Sequence, residues 1–82
     1  LQNVPNPFQG NTQIGFYLPE ATQTKLTVRD VKGAVLYQIQ GEYNKGWNLL
    51  NVEAATLRSS GVLYYSLETA KFLETKRMVV IK

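Results

Sequence analysis

Apolar and polar positions alternate along most of this chain, and helical spacing is nearly absent. Ile14, Phe16 and Leu18 fall on one side of a strand, with Gln13, Gly15 and Tyr17 on the other. Pro19, Glu20 and Ala21 end it. Leu26 and Val28 oppose Lys25, Thr27 and Arg29, and Val35, Tyr37 and Ile39 alternate in the next run. From Trp47 to Glu53, Leu50 and Val52 share one face while Trp47 and Leu49 share the other. In the long run from Gly61 to Thr69, Leu63, Tyr65 and Leu67 oppose Val62 and Tyr64. The last run, Thr75 to Lys82, sets Met78 and Val80 against Arg77, Val79 and Ile81.

The breaks between these runs carry turn chemistry. Asp30-Val31-Lys32-Gly33 predicts a tight turn. Asp at the first position can accept from a backbone N–H two residues on, and Gly at the fourth tolerates positive φ. The flanking runs therefore form a hairpin. Gly41 to Gly46 reads as a loop, and Ala54 to Ser60 as a connection with one short helical turn anchored by Leu57. Ala70-Lys71-Phe72-Leu73 turns the chain once more. Leu1 to Phe8 adds a candidate edge strand; Pro5 and Pro7 bar it from the interior of a sheet, because proline cannot donate to the ladder. Short alternating strands with polar turns predict an all-β antiparallel sandwich of about seven strands in two sheets. Each sheet would be wet on its outer side.

Composition narrows what such a domain can do. The 82 residues make one domain, residues 1–82, with an adequate but thin core. There is no Cys, hence neither a disulfide framework nor a thiolate metal site, and no His, the commonest general base. The acidic residues lie far apart in sequence, and Ser59-Ser60-Gly61 has no histidine to activate it, so neither an enzyme active site, a cofactor nor a metal is expected. The net charge of +3 is spread along the chain, and only Lys76 and Arg77 are adjacent basic residues. A nucleic-acid footprint needs a clustered basic face, so no nucleic-acid partner is expected. No apolar run is long enough to span a membrane. The chain opens without Met, which reads as a segment cut from a longer polypeptide.

Three features invite a functional reading beside a structural one. Pro5-Asn6-Pro7-Phe8 is either a stiff junction or a plug for the sandwich mouth. Trp47 and the tyrosines Tyr17, Tyr37, Tyr43, Tyr64 and Tyr65 are either a carbohydrate platform or ordinary strand packing. The final strand either closes the fold or offers its edge to a partner.

The ordered set Asn6-Pro7-Phe8, Thr12 to Pro19, Asp30 to Gly33, Gly46-Trp47-Asn48, Leu57 with Ser60-Gly61-Val62, and Thr75 to Lys82 resembles the type A C-terminal sorting domain of cargo proteins of the type IX secretion system of Bacteroidota. The resemblance covers essentially the whole chain. It departs at Leu63, where the family often has Tyr, and at Gln9-Gly10-Asn11-Thr12, where it often has Asn and a second Pro. What it implies is an immunoglobulin-like sandwich at the rear of a cargo protein. Its partners would be the outer-membrane translocon, a shuttle protein of that membrane, a sortase-type peptidase that removes the domain, and the preceding cargo. The cargo would pass through the periplasm to the cell surface, where it is released or attached to lipopolysaccharide. The signal would lie in Lys76, Arg77, Met78, Val79, Val80, Ile81 and Lys82, and the structural motif in Pro5, Asn6, Pro7, Phe8, Asp30, Gly33, Gly46, Leu57 and Gly61. The alternatives are an immunoglobulin-like adhesion or capping module and a carbohydrate-binding module of a surface protein.

Overall fold

A computed structural model describes residues 3–81. Its strands are β1 (Asn11–Leu18), β2 (Thr22–Arg29), β3 (Val35–Tyr43), β4 (Gly46–Glu53), β5 (Gly61–Glu68) and β6 (Leu73–Val80), with one helical turn, α1 (Ala54–Leu57), between β4 and β5. They form two sheets, β1-β4 and β3-β2-β5-β6, in which every strand pair is antiparallel. The all-β sandwich expected from the alternation is the fold observed.

The opening segment is not the continuous edge strand expected of it. It makes one β-bridge to each sheet, antiparallel between Val4 and Gln13 and parallel between Phe8 and Val80. Between those points the segment crosses from one sheet to the other, so neither ladder runs on. The segment thus takes the seventh strand position and ties one sheet to the other. The Val4–Pro5 and Asn6–Pro7 peptides are cis.

Inward-facing residues meet as the alternation predicts. Ile14, Phe16, Leu18 and Val52 from the smaller sheet pack against Leu26, Val28, Leu63, Tyr65, Leu67, Met78 and Val80 from the larger. Phe8 and Leu57, both buried, close the core. Burying a side chain of this size stabilises by about 1.5–3 kcal/mol each. Leu57 sits at the end of α1, and Arg58 follows in the left-handed conformation at φ 54. Its N–H bonds the Ala54 carbonyl at 3.3 Å, which ends the helix after one turn. Burial pushes the Tyr65 phenol up to about 12, partly offset by a hydrogen bond from the Asn3 backbone. Asn3 and Thr12, both buried polar residues, satisfy each other: Asn3 Nδ2 donates to Thr12 Oγ1 at 3.0 Å, and Thr12 Oγ1 donates to the Pro5 carbonyl at 2.7 Å.

Three details differ from the sequence expectation. Val35 does not face inward with Tyr37. The register shifts from Val28↔Tyr37 to Arg29↔Val35, leaving Leu36 as the extra residue of a bulge. Leu36 packs against the core beside Tyr37, and Val35 is exposed. The expected loop from Gly41 to Gly46 shrinks to Asn44 and Lys45, because β3 stays paired with β2 as far as Thr22↔Tyr43. The last strand begins at Leu73 rather than Thr75, since Thr69 closes the preceding turn: its Oγ1 accepts from the Lys71 and Phe72 N–H groups at 3.1 and 3.2 Å.

The Asp30 turn matches the expectation. Asp30 Oδ1 accepts from the Lys32 and Ala34 N–H groups at 2.9 and 3.0 Å, and Gly33 takes φ +91.

Candidate functional site at the edge of the last strand

β6 is an outer strand of the four-stranded sheet, paired to β5 from Gly61↔Val80 to Glu68↔Leu73. The residues expected to carry the signal divide by the pleat. Met78 and Val80 are buried in the core. Arg77 and Val79 alternate with them on the outer face, and Ile81, just past the strand, is 48% exposed. Lys76 shares the inner face with Met78, yet it is only half-buried and lies 3.4 Å from Glu74. Lys82 lies outside the described residues. A partner meeting the folded domain therefore finds Arg77, Val79 and Ile81, while Met78 and Val80 act through packing.

The backbone edge is not uniformly open, and here the expectation of an unpaired terminal edge needs correcting. In an antiparallel strand the main-chain groups of alternate residues point to opposite sides. Val79 and Ile81 point away from β5, and both are taken by the opening segment. The Phe8 N–H donates to the Val79 carbonyl at 2.9 Å, and the Ile81 N–H donates to the Phe8 carbonyl at 2.8 Å. The Val79 N–H donates to Asn6 Oδ1 at 2.8 Å, across 73 positions of sequence. In a regular parallel ladder that N–H would meet the main-chain carbonyl two residues before Phe8. Here the side-chain amide of the same residue takes its place.

The Pro5, Asn6, Pro7 and Phe8 motif thus has a definite job. Phe8, 2% exposed, plugs the core, and Asn6 mimics a backbone acceptor. Sequence reasoning read the plug but missed the edge contact. The available signal was an Asn set between prolines, the residue whose amide can stand in for a peptide group. Beside the same edge, Val80 and Ile81 line a shallow groove with Gln9, Ala54, Arg58 and Ser59.

Gly46 and Gly61 stand at the starts of β4 and β5 with φ +101 and +88, so the motif glycines mark strand entries.

A second exposed feature lies on the outer face of the smaller sheet. Tyr17 and Trp47 are cross-strand partners, with ring centroids 5.6 Å apart and planes at 67°. Trp47 is 67% exposed, and Leu49 beside it is similarly open. The rings meet edge to face rather than forming a coplanar strip. Tyr37 and Tyr43 pack against the core instead, Tyr43 edge-on to Phe16. Toward the other end of the larger sheet from Val79, its outer face is polar. Gln38 Nε2 donates to Thr27 Oγ1 at 3.0 Å, the Ser66 and Thr75 hydroxyls are 3.0 Å apart, and Lys25 lies 3.5 Å from Glu68.

Among the described residues there is no group of three or more His, Cys, Asp or Glu arranged to hold a metal ion, and no helix long and apolar enough to cross a membrane. Comparison with protein-family models, curated proteins and solved structures gives no match to this chain.

Proposed function

We propose that this chain is a sorting domain of the type A, type IX kind, which directs an attached cargo protein through the outer membrane and is then removed by a surface peptidase. The observation that carries the reading is the ordered set of motifs ending in the Lys76-Arg77-Met78-Val79-Val80-Ile81 run. Its support from the fold is positional. That run forms an outer strand, with Arg77, Val79 and Ile81 on one accessible side. Recognition then needs no catalytic group: a receptor reads the side chains of one strand face and the backbone groups at its edge.

The cargo, the shuttle protein, the translocon and the peptidase are the partners this reading requires. The test fuses residues 1–82 behind a periplasm-targeted fluorescent protein in a Bacteroidota host, with and without the translocon. Fluorescence at the surface or in the medium in the wild-type host alone is the expected result. Fluorescence trapped in the periplasm of both refutes sufficiency of the chain as a signal. Removing Val80, Ile81 and Lys82 is a poor test, because Val80 is part of the core. Ile81→Glu is better, since it changes an exposed side chain just beyond the strand.

A second reading, a glycan-binding or adhesive surface module, has one specific observation in its favour, the exposed Tyr17–Trp47 pair. Binding of soluble oligosaccharides that is lost in Trp47→Ala would favour it.

A further inference from the structure

We infer that the 5–8 segment is a displaceable strap over the recognition edge of the last strand, and that a partner protein docks by putting an extended strand of its own where the strap lies. The inference rests on the export reading for the partner's role, but its structural part stands on four observations.

The strap occupies the outward groups of Val79 and Ile81, which are among the residues proposed as the signal. While it is in place, strand addition at these positions is blocked. Its hold is also incomplete as a strand. The Val79 N–H is met by the Asn6 side chain rather than by main chain. An extended partner segment without prolines would satisfy the same groups with main-chain carbonyls and could continue the ladder past them. The strap is shallow as well. Val4, Pro5, Asn6 and Pro7 are exposed, and Phe8 alone of the 5–8 segment is buried. Lastly, the edge is already shown to accept a parallel neighbour, because Phe8 bridges Val80 in that sense. The occupant that fits is an extended peptide backbone with one apolar side chain at the Phe8 position, since the strap covers a row of main-chain donors and acceptors and closes the core with Phe8 alone.

Asn6 is the residue to test, because its amide can be removed without touching the core. The full chain is compared with Asn6→Ala and Asn6→Asp by residue-resolved amide hydrogen exchange, and the same three sequences are compared as export fusions. Asn6→Asp keeps an oxygen acceptor for the Val79 N–H; Asn6→Ala does not. In Asn6→Ala, exchange at Val79 should rise about ten-fold, the loss of one ordinary hydrogen bond. Exchange at Leu63 and Met78 should stay put, Asn6→Asp should restore protection, and export of the Asn6→Ala fusion should rise above wild type.

Unchanged exchange at Val79, or a parallel rise at Leu63 and Met78, overturns the strap. Faster exchange with export unchanged or reduced overturns the masking role, a reduction meaning that the partner reads the strap together with β6. A wild-type fusion held in the periplasm of both hosts instead counts against the export reading, and the exchange result then decides the strap separately.

Discussion

Gly33→Val isolates a backbone effect at the β2–β3 turn. Gly33 has φ +91, beyond even the left-handed region near +57° that non-glycine residues occasionally visit. A Cβ built there meets nothing within 4 Å, so no clash contributes. The conformation cannot relax easily either. The Gly33 N–H donates to the Asp30 carbonyl at 3.0 Å, and Asp30 Oδ1 holds the N–H groups on both sides, at Lys32 and Ala34. A β-branched residue forced into such a region costs about 1–3 kcal/mol. Replacing glycine also stiffens the unfolded chain, which offsets about 0.4–1 kcal/mol. The net loss is roughly 0.5–2.5 kcal/mol, which for a domain of this size lowers Tm by roughly 2–20 °C. Thermal unfolding followed by far-ultraviolet circular dichroism measures it. Gly10→Ala is the control, because Gly10 has equally open surroundings without a positive φ. Gly33→Asn should fall between the two, since Asn tolerates positive φ better than Val. A Gly33→Val protein that melts at or above wild type refutes the turn as the source of the constraint.

Leu57→Ala should cost about 2–5 kcal/mol by removing the buried anchor of α1, a large share of the roughly 5–15 kcal/mol that holds a domain folded, read as a lowered midpoint in urea titration. Tyr65 gives an alkaline signature. Its folded-state value lies above the unfolded one, near 10, so its contribution is complete below pH 10 and is lost as pH rises through about 12. Tyr65→Phe should remove this part of the alkaline stability loss, read as a flatter curve of stability against pH between those limits. Trp47→Ala should lower stability by no more than about 1 kcal/mol, the worth of one exposed edge-to-face contact, and a larger loss in urea unfolding would mean that the ring does more than cover Tyr17.

Strand existence and facing were legible in the sequence because both depend on neighbours two positions apart. Ile14, Phe16 and Leu18 had to share a side wherever β1 ended up, and Leu63, Tyr65 and Leu67 likewise. The Asp30 turn was legible for the same reason: its hydrogen bonds span at most four residues. The bulge at Leu36 was not, since an inserted residue shows only against the partner strand that skips it.

The sequence alone determined that this chain is a β protein with neither His nor Cys, and it determined which side chains each strand could bury. It did not determine which strands would be neighbours. β3 and β4 are separated by two residues yet lie in different sheets, while β2 pairs with β5 across about half of the chain. Alternation is the same whichever partner a strand finds, so sheet membership is decided by how the faces pack together. Tertiary structure likewise decided the candidate site. Asn6 meets Val79 only once both sheets have closed on Phe8, and that contact turns two unrelated-looking motifs into one edge.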